Sequence, residues 1–380
     1  MSIEVSVVMP CLNEQETIGI CIDKAKNALE GLDLKGEIIV ADNGSTDNSI
    51  KIAESKKVRI VRESRKGYGQ AYRTGIEAAQ GKYIVIGDSD DSYDFNDIAR
   101  FIKPLQEGVD MVMGTRLKGQ IRRGAMPWLH RYFGNPILTW ILNLMYHSGI
   151  SDAHCGMRSF TKEAYQSMKL RTTGMEFASE MVIKASQLGL KIHEIPITLH
   201  PDGRNRPPHL RSFRDGWRHL RFMLMNSPTH LFLIPGMVLF IIGFVLMLVL
   251  IPGPLFFAGH MFDVHFMALG SLLAILGFQI LNIGFYAKIY SFTQGFIIKS
   301  RTLTTLFKYF NLERGLIIGF IIFLMGFSTD CYILFKWIYS QFGPLDEVRL
   351  VLLASTLMII GAQTIFSSFF LSMLGIETRD

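Results

Sequence analysis

The sequence predicts an α/β domain built on a parallel sheet, followed by a group of membrane-spanning helices. Two patterns carry this expectation. Through roughly the first 225 residues, short runs rich in Val and Ile alternate with segments of helical period, the signature of a parallel sheet with helices on both faces. After that come four apolar runs, about 231–251, 267–290, 316–339 and 350–374, each long enough to cross a bilayer. Any one of them could be a buried helix of a large soluble protein, but four in succession argue against that. The predicted division is a domain over 1–225 and a four-span membrane domain over 229–380.

Taken in order, Val-Ser-Val-Val-Met at 5–9 reads as a buried strand, broken by Pro10-Cys-Leu-Asn-Glu14, and 17–29 reads as a helix. Ile38-Ile39-Val40 is a second strand ending at Asp42, with Thr46 or Asp47 as the cap of a helix over 48–56. Residues 58–61 form a third strand. A helix follows Gly67-Tyr-Gly69 up to Ala79, and Tyr83-Ile-Val-Ile86 is a fourth strand. Loops at the carboxyl ends of parallel strands form the ligand crevice. That puts residues 10–14, 42–45 and 88–91 on one rim. No G-x-G-x-x-G follows the first strand, and Gly67-x-Gly69 alone is a weak phosphate signal.

The fourth strand ends in Asp88-Ser89-Asp90-Asp91. Clustered carboxylates repel one another unless a cation lies between them, and hard oxygen ligands suit Mg2+ or Mn2+ shared with substrate phosphates. An acidic turn that merely stops a strand is the plainer alternative. Asp42 is likewise either a turn residue or an acceptor for ribose or base. His154 and His209 have no partners at ligand spacing, which argues against zinc, and the four cysteines read as free thiols.

These motifs together resemble family 2 glycosyltransferases of GT-A fold. The resemblance rests on Pro10-Cys-Leu-Asn-Glu14, Asp42-Asn-Gly-Ser-Thr-Asp47, Gly67-x-Gly69 and Asp88-Ser-Asp90. Gly114-Thr-Arg116, Asp152-Ala-His-Cys-Gly156-Met-Arg158, Glu180 and Glu194-Ile-Pro-Ile197 resemble the dolichyl- and polyprenyl-phosphate sugar synthase branch. The resemblance implies a mixed, mostly parallel sheet and a nucleotide-sugar donor held by Pro10, Asn13, Glu14, Asp42, Gly67, Asp88, Ser89, Arg204 and Arg211. It also implies Mg2+ or Mn2+ at Asp88 and Asp90, and an acceptor phosphate met by Arg116, Arg131 and Asn135. Asp90, Arg116 and Arg131 are the catalytic candidates. Two departures stand out: Asp91-Ser92 follows the D-x-D pair, leaving a third metal ligand open, and the loop 201–211 lacks the family's Gly-Ser-Lys.

Between 114 and 158, arginines alternate with Trp128, Phe133, Ile137 and Trp140. A second such stretch, with Arg214, Trp217, Arg218 and Arg221, precedes the first span. Segments about 120–145 and 210–228 are therefore expected to lie on a membrane surface, an ordinary core helix with a basic face being the alternative. The net charge of +6 fits anionic lipid better than nucleic acid here. Lys288, Lys299, Arg301, Lys308 and Arg314 cluster between spans two and three. The positive-inside rule then places the N-terminal domain and the C-terminus in the cytoplasm. The start lacks a basic and long apolar region, which predicts no signal peptide.

The function expected is inverting, metal-dependent transfer of one sugar from GDP-mannose or a UDP-hexose to polyprenyl or dolichyl phosphate. A phosphate monoester is largely a dianion near neutrality and needs no general base. A processive polysaccharide synthase is the alternative, but its Q-x-x-R-W motif is absent from the sequence. So is a transport or scaffold protein with an inactive domain. Homo-oligomerisation through the spans is left open.

Overall fold

The Val- and Ile-rich runs at the front of the chain pair into a seven-stranded sheet. Its strands are β1 (Val5–Cys11), β2 (Gly36–Asp42), β3 (Arg59–Arg62), β4 (Tyr83–Ile86), β5 (Met111–Ile121), β6 (Arg158–Thr161) and β7 (Ile192–Leu199). They lie in the order β3-β2-β1-β4-β6-β5-β7. Strands β1 to β4 run parallel, as do β5 and β7, while β6 is antiparallel to both of its neighbours. The sheet is thus mixed and mostly parallel. These coordinates come from a computed structural model, which describes residues 3–32, 34–204, 212–293 and 311–374. Arg211, His209, Lys299, Arg301, Lys308 and the C-terminal tail, all invoked above, lie outside the described residues.

The connecting helices are α1 (Ile18–Glu30), α2 (Ser49–Ser55), α3 (Tyr68–Ala78), α4 (Ile98–Gln106), α5 (Asn135–Tyr146), α6 (Lys162–Met168), α7 (Phe177–Leu188) and α8 (Ser212–Met225). Each buries a stripe against the sheet or a neighbouring helix. Ile18, Cys21, Ile22, Ala25 and Leu29 of α1 meet Val5, Val7, Met9 and Val85 in one apolar cluster. At about 25 cal/mol per Å2 of apolar surface removed from water, such stripes fix which face of each helix turns inward.

Three local expectations are corrected. The break at Pro10 comes later, because Pro10 pairs with Ala41 and Cys11 with Asp42 at the end of the β1–β2 ladder. The cap of α2 is Asn48 rather than Thr46 or Asp47; the Asp47 carboxylate accepts from Ser49 N at 2.9 Å and Ser49 Oγ at 2.5 Å. The first surface segment also starts later than 120. Residues up to Ile121 finish β5, and helix runs from a π-turn, His130–Gly134, into α5.

The chain divides into two units, Met1–Met223 and Leu224–Asp380. The second holds four helices long and apolar enough to cross a membrane: Thr229–Leu250, Val264–Thr293, Leu312–Tyr339 and Val348–Leu374. The last three are α10, α11 and α12, and the first comprises a π-turn followed by α9 (Ile234–Leu250). Small residues let their backbones touch. A Cβ on Gly277 would lie 2.3 Å from Phe240 N, and one on Gly361 would lie 2.5 Å from Phe323 N. Close approach of this kind replaces the hydrophobic effect, which lipid cannot supply between helices.

Candidate active site

The carboxyl ends of β1, β2 and β4 carry three loops that hydrogen bonds stitch into one rim. Asn13 adopts φ +60°, which Asn tolerates better than most residues. Its side-chain oxygen accepts from Thr46 N at 2.7 Å, and its own N–H donates to Ser45 Oγ at 3.0 Å. Glu14 N donates to Ser49 Oγ, and Asp42 Oδ1 accepts from Ser45 N. Ser89 Oγ donates to the Pro10 carbonyl, and Thr17 Oγ1 donates to the Ser89 carbonyl. Pro10, Asn13, Glu14, Asp42, Asp88, Ser89 and Asp90 therefore meet at one edge of the sheet. Glu14, Asp42 and Ser89 are buried.

Within the acidic turn, the four residues take separate parts. Asp88 Oδ1 accepts from Tyr68 OH at 2.9 Å and from Tyr72 OH at 3.1 Å. Burial first, and Asp90 second, push the Asp88 carboxyl up to about 6. Asp90 Oδ1 accepts from Ser92 N at 3.1 Å and Ser92 Oγ at 2.6 Å. Asp90 Oδ2 pairs with Arg204 Nη2 at 2.6 Å, while Arg204 Nε donates to Glu14 Oε2 at 3.0 Å. Asp91, at φ +63°, turns away to Lys24 on α1, 2.8 Å off. So Ser92 supports Asp90, and Asp91 is spent on an ion pair with α1.

This donor set fits a hard divalent cation. Two carboxylates each keep one oxygen braced by hydroxyl donors, and a positive group already sits on Asp90 Oδ2. Among the described residues no cluster of three or more His, Cys, Asp and Glu could hold an ion. The remaining ligands of a Mg2+ or Mn2+ would then be substrate phosphates and water, as is usual for such ions.

Gly67 lies where the backbone packs closely. Its N–H donates to Asn43 Oδ1 at 2.8 Å, and a Cβ there would meet the Thr173 carbonyl at 2.3 Å. The glycine, at φ +152°, is needed for close backbone packing. Gly156 marks a second close approach, since a Cβ there would come 2.6 Å from Asp88 Oδ2.

The acceptor-side arginines part company. Arg116 Nε and Nη2 grip Asp152 Oδ2 and Oδ1 at 2.7 and 2.8 Å, and Arg116 N also reaches Oδ2 at 3.1 Å. The Arg116 fork, which the resemblance assigned to an acceptor phosphate, is held here by a buried carboxylate. Burial opposes ionisation of Asp152, yet Arg116 and these bonds hold it below the usual carboxylate range. Arg158 is buried and donates to the carbonyls of Cys155, Ala178 and Ala153 rather than to Asp152. Arg131 is exposed on the π-turn, over the Tyr132 ring. Asn135 opens α5 and donates to Met126 Sδ. Burial first, and the Arg116 charge second, lower the pKa of His130. Trp128, Phe133, Ile137, Trp140 and Leu144 are exposed, as are Phe213 and Trp217 of α8.

Sequence reading missed Tyr68 and Tyr72 as supports of Asp88. Their signal was the four-residue spacing, which sets both hydroxyls on one face of α3. It also missed Ser92, which turns back on Asp90 two residues away, and Lys24, whose pairing with Asp91 joins distant segments.

Residues 6–168 match the glycosyl transferase family 2 model, and residues 285–375 match the family 2 glycosyltransferase C-terminal transmembrane region. The chain is 42% identical over 373 residues to a low-salt glycan biosynthesis hexosyltransferase, Agl6, of Haloferax volcanii, covering 97% of this chain and 89% of that one. The chain is a family 2 glycosyltransferase. This glycosyltransferase is also 32% identical over 213 residues to glycosyltransferase AglJ of the same organism, covering 56% of this chain and 68% of that one. Among solved structures, glucosyl-3-phosphoglycerate synthase of Mycobacterium tuberculosis, crystallised with Mn2+, UDP and glucosyl-3-phosphoglycerate, is similar at a TM-score of 0.48 and 24% identity, over 59% of this chain and 79% of that one. With its transmembrane region and four apolar helices, the glycosyltransferase is a multi-pass membrane protein.

Proposed function

We propose that this enzyme transfers one hexose, with inversion, from a nucleotide-sugar to a polyprenyl or dolichyl phosphate at the cytoplasmic membrane face. The observation that carries the reading is the rim itself: Glu14, Asp42, Asp88 and Asp90 gathered at the carboxyl edge of β1, β2 and β4, with Arg204 across them. A nucleoside diphosphate with its cation matches that charge pattern. The relative named a hexosyltransferase supports a hexose.

Asp88 and Asp90 would hold the Mg2+ or Mn2+, which as a Lewis acid stabilises the departing nucleoside diphosphate. Glu14 and Asp42 would hold the nucleoside end, since both are buried acceptors on the neighbouring loops. The acceptor phosphate, already dianionic, attacks the anomeric carbon without a base. Arg131 would meet it, as an exposed fork free to bind phosphate bidentately. Arg116, fixed by Asp152, would position the floor of that subsite. The exposed apolar row along the π-turn and α5 spaces Phe133, Ile137, Trp140 and Leu144 along one helix face, which supports seating on lipid. Sequence charge bias supports the cytoplasmic side for this unit.

The test is purified enzyme with polyprenyl phosphate, Mn2+ or Mg2+ and a panel of labelled nucleotide-sugars. One sugar per lipid with an inverted anomeric centre is expected; a polymer, or transfer only to a water-soluble acceptor, contradicts the reading. Replacing Arg131 with Ala should raise the KM for lipid phosphate at least about tenfold while leaving the donor KM within about twofold.

A further inference from the structure

Arg204 occupies the one oxygen of Asp90 that its own turn leaves open. Asp90 Oδ1 is saturated by Ser92 N and Ser92 Oγ, and Oδ2 carries the Arg204 guanidinium at 2.6 Å. The same guanidinium reaches Glu14 Oε2 at 3.0 Å, so it bridges two acids of the donor rim. Its side chain is 12% exposed. A cation approaching Asp90 through Oδ2 meets a positive group already in place.

The backbone beneath Arg204 is tied to the same turn. Gly203 N donates to the Asp90 carbonyl at 3.0 Å, and His200 N donates to the Ser92 carbonyl at 3.0 Å. If the guanidinium leaves Asp90, its Cα stays at the rim. The strongest anion then within its reach is the diphosphate that arrives with the metal, a natural partner for a planar fork.

We propose that Arg204 is an exchangeable cationic plug of the donor site. It competes with free metal for Asp90 and swings onto the diphosphate when metal and nucleotide arrive together. Free metal therefore binds weakly, and metal with nucleoside diphosphate binds tightly. The device rests on the donor-site reading above, and its test separates the two.

The experiment measures Mn2+ binding to the full-length protein by electron paramagnetic resonance and calorimetry, alone and with UDP or GDP. Wild type is compared with Arg204→Ala, Arg204→Gln and Asp90→Asn, after melting curves establish that each variant is folded. Removal of the plug is expected to tighten free Mn2+ about tenfold and to weaken Mn2+ in the presence of nucleoside diphosphate about tenfold. A purely structural role of Arg204 would not reverse sign between the two conditions. If neither folded Arg204 variant binds free Mn2+ more tightly than wild type, while Asp90→Asn loses binding, the plug is overturned and the donor site stands. Should Asp90→Asn bind Mn2+ like wild type, the donor site itself falls. Tightening of free Mn2+ without weakening alongside nucleotide supports the plug and overturns the diphosphate contact.

Discussion

Two arginine–carboxylate pairs in the first unit have the same chemistry and opposite construction. Arg116 sends both arms of its fork into one carboxylate, and Asp152 is fully buried beneath it. Arg204 makes one bond to each of two carboxylates from different loops. The first pair is closed: neither partner can leave without stranding a charge in the interior. The second bridges two acids on different loops, one of which, Asp90, a ligand cation would claim under the proposal above. An ion pair at a catalytic rim is thus not by itself a ligand site; what decides is whether the fork is committed to one acid or divided between two.

The largest expected effect breaks the closed pair. Asp152→Ala leaves Arg116 buried and charged, and should destabilise the protein by about 3–5 kcal/mol. Arg204→Gln, which leaves two nearly buried acids without their cation but keeps an amide donor, should cost less, about 1–3 kcal/mol. Melting curves of the two variants in the same detergent check the contrast, and similar losses would erase it.

Next comes pH. His154, half-buried, packs its ring edge against the buried His219, with Glu176, Asp215, Arg158 and Arg218 around His219. Burial lowers both, His219 to about 4. The unfolded chain therefore binds more protons than the folded one between about pH 4 and 6.5, so stability rises with pH there. It is fully present above about 6.5 and is lost as pH falls toward 4, on the order of 3 kcal/mol for His219. His219→Asn should flatten that slope in thermal melts taken across this window. A plug that depends on Asp90 and Glu14 should not respond to this substitution.

Smaller effects sharpen the open side. Tyr72→Phe removes a donor to Asp88 Oδ1, so the carboxyl should ionise less readily and the Mn2+ concentration for half-maximal rate should rise by about threefold to tenfold. Asp91→Asn should change the rate by less than about twofold, because its ion pair with Lys24 is partly exposed.

Much of this was legible in the sequence. The rim residues lie at the ends of β-branched runs, and parallel strands bring such ends together whatever their separation in the chain. The four spans follow from the lengths of apolar runs. What could not be read was which partner each charge takes. Asp152 is two residues from His154 and six from Arg158, but it pairs with Arg116 across 36 residues. Arg204 reaches Glu14 across 190 residues. Ion pairs of that kind depend on tertiary geometry, and a one-dimensional motif shows only that charges are present. Gly67 is of the same kind: its lack of a side chain answers to the Thr173 carbonyl packed on it.

The central claim, a donor site built on Asp90, is tested most directly by lipid glycosylation with Asp90→Asn and Asp91→Asn side by side. Each is assayed at saturating polyprenyl phosphate with the nucleotide-sugar that wild type uses. The account predicts that Asp90→Asn loses at least about a hundredfold in rate, while Asp91→Asn stays near wild type. An Asp90→Asn enzyme that glycosylates lipid at the wild-type rate would contradict it.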